Sequence, residues 1–357
     1  MPSESRENNF NFIRLYAAFL VMAGHMGAVM GSLIPGAGSQ QLQNIGVQIL
    51  FMISGYLVAD SWRRDPHAGR FLTRRFLRLW PPYAVMVLLM CFVTGPYLSE
   101  LGKEGYYASW WKAYLDNLRF CTVYAQPGVF AKNPLPLTTN GSIWTMPVEA
   151  LAYLLTPLLM FLLSGGGRKR YSFRAMVILT GVVCIPDIVF GWDKSIRVVF
   201  YGTNWAAAYT LFAYFTIGVL CSFEEMRPVF QLQAAPVAAL LILLTTVFRY
   251  PHTQEAVWLI ALPYLVFSFA LAEQPLFAKL GSRHELSYGI YLYGFFFQQL
   301  VVQWDQQHQQ NLSYMSCLGI SLGLTVIAAY LNCLAVEEPV LRLSRKLTAA
   351  WKRARTA

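Results

Sequence analysis

Charge is scarce in this sequence. Only 13% of its 357 residues are Asp, Glu, Lys or Arg, against roughly a quarter in a soluble domain, and the shortfall excludes an ordinary water-soluble globule. Acids are scarcer than bases, 18 against 28, for a formal net charge of +10. The basic residues stand in short clusters between apolar runs and form no continuous patch, which argues against nucleic acid as a partner. Cysteine is also sparse. Of six, Cys91, Cys184, Cys221, Cys317 and Cys333 fall in apolar runs and Cys121 in a polar stretch, with no CxxC. That spacing indicates neither a disulfide framework nor a zinc site, so the thiols read as packing groups and no metal is expected. There is no internal repeat and no low-complexity tract. The first apolar run, Phe12 to about Ile34, does not read as a cleaved signal peptide: it is too long for one, holds Arg14 and His25, and lacks a clear cleavage site. It reads as a retained first span.

What is abundant is apolar and aromatic: 56% and 15% of the chain. Crossing ~30 Å of hydrocarbon takes about 20 helical residues. Runs suited to this lie at 12–33, 43–60, 79–98, 142–163, 175–192, 203–222, 233–249, 255–272, 286–304 and 313–335. The expected fold is an all-α polytopic membrane protein of about ten transmembrane helices, one domain over 1–357. With the N-terminus inside, twenty Lys and Arg fall in cytoplasmic segments and seven in outer ones, with Arg14 just inside the first span. The positive-inside bias therefore puts both termini in the cytoplasm. The outer stretch 99–141 is long enough to be a lid, a binding loop or a small cap. Residues 61–78, rich in arginine, read as an amphipathic segment on the inner membrane surface, and 336–357 as a basic cytoplasmic tail.

Ionisable groups within spans are costly and mark function. Three stand out: Arg14, His25 and Glu149. Arg14 and His25 are about three helical turns apart, so they share a face and differ in depth by ~16 Å. Counted from the span ends, His25 and Glu149 lie ~9 and ~10 Å below the outer edge, which would let them meet.

The run NNFNFIRLYAAFLVMAGH (8–25) resembles the first helix of the membrane acyltransferase family 3, with an arginine, ten residues and a histidine at Arg14 and His25. FMISGYL (51–57), RFLTRRFLRLWPPY (70–83), NGSIWTMPVEALAYL (140–154), LSYGIYLYGFFFQQLV (286–301) and EEPVLRL (337–343) resemble further motifs in the family's order. Two features depart from it. Gly294 stands where many members have histidine, and the chain ends at Ala357 where many continue into an extracytoplasmic hydrolase-like domain.

The resemblance implies an O-acyltransferase of the plasma (inner) membrane. It would move an acyl group, usually acetyl, from cytoplasmic acyl-CoA to a hydroxyl of an extracytoplasmic carbohydrate or glycolipid. On that reading Arg74, Arg75 and Arg78 bind the donor's phosphates, with Ser54 and Tyr56 of the ISGYL turn beside it. Arg14 meets the donor just inside the membrane. His25 acts as general base, Glu149 orients its ring, and Asn140, Ser142 and Trp144 attend the acceptor. An acyl-enzyme through His25 or Ser54 stays open. So does a different class, a proton-coupled transporter of a small polar solute, because buried Arg, His and Glu suit one equally.

Overall fold

The structure, a computed structural model, describes residues 8–164, 171–190, 198–248, 250–281 and 284–353. Several basic residues counted above (Arg6, Arg168, Lys169, Arg170, Lys194, Arg197, Arg249, Arg283 and Arg355) lie outside these.

Apolar runs fold as helices because a helix satisfies its own backbone where no water can. In chain order they are α1 (Phe10–Val29), α2 (Leu42–Arg64), α3 (Ala68–Leu89), α4 (Gly95–Leu98), α5 (Gly102–Ala108), α6 (Thr145–Leu163) and α7 (Phe173–Phe190). Then follow α8 (Trp205–Cys221), α9 (Ala235–Leu244), α10 (Pro251–Ala270), α11 (Ser287–His308), α12 (Tyr314–Asn332) and α13 (Glu338–Arg353). Among the described residues, strand is confined to two short two-stranded ribbons and one isolated bridge between Ser99 and Val129. Among the described residues, six helical stretches are long and apolar enough to cross a membrane: Phe10–Val29, Leu42–Arg64, Ala68–Leu98, Thr145–Leu163, Pro251–Ala270 and Tyr314–Arg353. The protein is therefore a multi-pass membrane protein of the all-α class, mostly helical.

Three boundaries differ from those read off the sequence. The 61–78 stretch is shared between two long helices: α2 runs on to Arg64, and α3 begins at Ala68. The cause is the corner between them. The Asp65 carboxylate accepts from Arg70 at 2.5 Å and Arg74 at 2.7 Å, and the His67 ring caps α3 by accepting from the Arg70 amide at 3.2 Å. The run at 233–249 yields only the ten-residue α9, ~15 Å long and half a bilayer. The last run does not stop at 335, because a π-turn at Cys333–Glu337 carries α12 into α13.

Helix α2 is the axis of the bundle, packed on α1 and α8. Its crossing with α8 is close because Gly55 and Gly218 face the other helix's backbone. A Cβ on Gly55 would stand 2.1 Å from the Phe215 carbonyl oxygen, and one on Gly218 2.0 Å from that of Met52. Small residues at such crossings let membrane helices approach. The 99–141 stretch folds as a cap with its own buried side chains, Tyr106, Tyr114, Gln126 and Phe130. Gln126 donates to the Met90 carbonyl at 3.0 Å and to the Tyr106 hydroxyl at 2.8 Å, tying the cap to the end of α3.

Candidate active site

Where α1, α2, α3, α6 and α11 converge they enclose a cavity of about 260 Å³. Its polar lining includes Arg14 from α1, Ser54 and Arg64 from α2, Arg75 and Arg78 from α3, Glu149 and Tyr153 from α6, and Tyr288 and Tyr291 from α11. Three guanidiniums, Arg14, Arg75 and Arg78, around the Glu149 carboxylate inside the bundle, with Arg64 at the exposed rim, make a site poised for an anion.

The side chains hold one another in a definite order. Arg14 pairs with one oxygen of Glu285, just ahead of α11, and Arg78 donates to the other at 2.5 Å. One carboxylate thus fixes two arginines from different helices. Arg75 lies over the rings of Phe71, at 5.5 Å, and Tyr153, at 5.7 Å. Its buried Nε has no hydrogen-bond partner among the described residues, so it is a donor waiting for an acceptor. Tyr153 donates to Glu149 one turn earlier on α6. Its oxygen also lies 3.2 Å from Ser54 Oγ. A phenol has one proton, here spent on Glu149, so Ser54 is the donor in that contact. Serine, tyrosine and glutamate therefore form a directional relay ending on the carboxylate.

Of the residues singled out in the sequence, Arg14, Ser54, Arg75, Arg78 and Glu149 come together here. The others stand elsewhere. Arg74 is turned away and spent on Asp65. Tyr56 lies on another side of α2, with its ring 4.9 Å from Phe10 and 5.5 Å from Phe267. Asn140 and Ser142 are buried supports: Asn140 donates to the Leu292 carbonyl at 2.8 Å, and Tyr291 donates to that of Ser142 at 2.8 Å. Trp144 is the residue preceding α6, half-buried in the main core.

His25 and Glu149 do not meet. The His25 ring lies edge-on to Phe295, 5.2 Å between centroids, and makes no hydrogen bond or ion pair with Glu149. Counting from a span end fails because the Asn140–Ser142 loop dips into the bundle, bonded to Tyr291 and Leu292, so α6 starts deep. The Tyr288 hydroxyl, 3.8 Å from Met146 Sδ, marks the pocket's level on α11, and Phe295 marks that of His25. Seven residues separate them, about 10 Å along the helix. The space beside Gly294 is taken by Met22, whose Cγ would lie 2.8 Å from an added Cβ. Tyr153, Tyr288 and Tyr291 were missed as site residues although they stand inside quoted motifs. Glu285, one residue before such a motif, carried no signal of its own.

An acyltransferase domain pattern matches residues 7–331. An O-acetyl transferase of Shigella phage Sf6 is 24% identical over 96% of this chain and 99% of its own length. Nodulation protein 10 of Rhizobium leguminosarum bv. viciae is 26% identical over 97% and 96%. Peptidoglycan O-acetyltransferase OatA of Listeria monocytogenes is 24% identical over 52% of this chain and 30% of its own. No solved structure matches.

Proposed function

The chain belongs to acyltransferase family 3 and is an O-acyltransferase of the membrane, and from that premise we propose that it carries an acyl group, acetyl by preference, from cytoplasmic acyl-CoA to a hydroxyl of an extracytoplasmic carbohydrate or glycolipid. The observation that carries this reading is the cavity in which Arg14, Arg75 and Arg78 surround Glu149, Tyr153 and Ser54. The cavity reaches Arg64, in the last turn of α2, at the end of the bundle that the arginine bias assigns to the cytoplasm. Ten passes with both termini inside complete this topology, the short α9 and the 3₁₀ turn at Leu232–Ala234 ahead of it making the seventh. The donor's phosphates lie toward Arg64, Arg75 and Arg78, as charge-assisted acceptors. Arg14 meets the donor just inside the membrane, and the pantetheine arm runs inward past Glu149 and carries the thioester toward His25. His25, about two turns further toward the outer face, takes the proton of the acceptor hydroxyl.

The relay supports a second route within the same chemistry. Ser54 Oγ attacks the thioester carbonyl while its proton passes to Tyr153 and that of Tyr153 to Glu149. The carbon–sulfur bond breaks, and coenzyme A leaves as its thiol after taking the proton back from Glu149. The acceptor oxygen then attacks the acyl carbon, the Ser54 Oγ–acyl bond breaks, and the acceptor's proton passes through Glu149 and Tyr153 back to Ser54. The test is incubation of the purified protein in detergent with labelled acetyl-CoA. Release of coenzyme A and label on an added glycan acceptor is the expected result. Tight binding without thioester consumption, with proton-driven solute uptake in proteoliposomes, would point to the transporter instead. Mass spectrometry of cell-envelope glycans with and without the gene identifies the acceptor.

A further inference from the structure

A second polar cavity, of about 430 Å³, adjoins the first and shares Arg78 with it. Its wall holds a set of side chains that the transfer reaction leaves unused. His284 precedes α11, Cys333 opens the π-turn after α12, and Glu338 opens α13. Their ligand atoms all lie within 4.8 Å of one another. His284 Nδ1 and Glu338 Oε1 are 2.8 Å apart.

The backbone explains how Cys333 and Glu338 come to face the same point. In an α-helix residues five apart stand about 140° apart around the axis. Here the Glu338 amide bonds to the Cys333 carbonyl, five residues back, and the widened turn swings both side chains to one side. Such π-turns recur at functional sites. Two neighbours hold the ligands in place. The Tyr330 ring stands edge-on to His284 at 5.5 Å, and Arg342 donates to the other Glu338 oxygen at 3.0 Å. Outer partners of this kind orient metal ligands.

We propose that His284, Cys333 and Glu338 form a zinc site with its fourth position open to the cavity. Thiolate, imidazole and carboxylate together disfavour magnesium and calcium and suit Zn²⁺. Tetrahedral bonds of 2.0–2.3 Å set ligand atoms about 3.3–3.7 Å apart, so the three need only small side-chain adjustments. On binding, the Cys333 thiol gives up its proton to solvent. His284 coordinates through Nδ1 and keeps its proton on Nε2, and Glu338 coordinates through Oε1. The bound ion ties the segment ahead of α11 to the α12–α13 junction. Glu285, which holds Arg14 and Arg78, is the next residue after the ligand His284.

The test uses the full chain, purified in detergent with a non-chelating reductant. Zinc content is measured after gel filtration in a zinc buffer, and alkylation of Cys333 by N-ethylmaleimide is followed by peptide mass spectrometry with and without zinc. The expected result is about one zinc per chain, lost in C333S and in H284A but kept in C317S, with zinc slowing alkylation of Cys333 at least tenfold. Cobalt substitution should give a thiolate charge-transfer band that C333S lacks. Equal zinc in wild type and C333S, or unchanged alkylation, overturns the site. Because neither readout uses acyl transfer, failure here leaves the transferase reading intact.

Discussion

Replacing Tyr153 by phenylalanine removes one oxygen and leaves the ring. The ring's packing, and its contact with the Arg75 guanidinium at 5.7 Å, survive. What is lost is the hydrogen bond to Glu149 and the link at 3.2 Å to Ser54. A hydrogen bond to a charged group contributes about 1.5–3 kcal/mol. If the carboxylate uses it in the transition state, kcat should fall about 10- to 150-fold, with the KM for acetyl-CoA nearly unchanged, because the arginines that hold the donor are untouched. Release of coenzyme A by the purified protein is the assay. The cycle with Ser54→Ala sharpens it: members of one relay do not add, so Y153F/S54A should be little worse than the poorer single variant. Wild-type turnover in Y153F, or losses that multiply in the double variant, would refute the relay.

Three further outcomes follow from the geometry. His25→Ala should lower transfer 10²–10⁴-fold, the usual range for a general base. Because His25 stands outside the pocket that holds Glu149 and makes no hydrogen bond or ion pair with it, its loss should multiply with that of Glu149→Gln; a double variant no worse than H25A would restore the direct pairing. Arg75→Ala or Arg78→Ala should weaken acetyl-CoA binding about 10- to 150-fold, as each charge-assisted bond contributes about 1.5–3 kcal/mol, whereas Arg74→Ala should leave it unchanged. Calorimetry on the three variants decides this, and an equal loss in R74A would return Arg74 to the donor site. The Arg70 guanidinium, with Arg74 beside it, holds the Asp65 carboxyl well below the usual carboxylate range. Its folded pKa is therefore below its unfolded one, so its contribution to stability is full above about pH 4 and is lost as pH falls toward the folded value. Asp65→Asn should unfold several degrees below wild type at pH 7, with a gap that narrows below about pH 4; a pH-independent gap in thermal scans counts against the clamp.

The sequence by itself determined the class of the protein and the helices of its bundle. Apolar runs of about 20 residues have few alternatives to a membrane helix, and motifs in a fixed order carried the family. Charge inside hydrocarbon shows in one dimension and marked Arg14 and Glu149, while the family resemblance added Ser54, Arg75 and Arg78. Depth did not show. Counting residues from a span end pairs Glu149 with His25, whereas hydrogen bonds from Asn140 to Leu292 and from Tyr291 to Ser142 draw the start of α6 into the bundle. Which arginines face the pocket was hidden as well. Arg74 and Arg75 are neighbours in sequence, but the 100° step of a helix sends one to Asp65 and the other to Tyr153. His284, Cys333 and Glu338 met only through tertiary structure, because a π-turn changes which residues of a helix share a side.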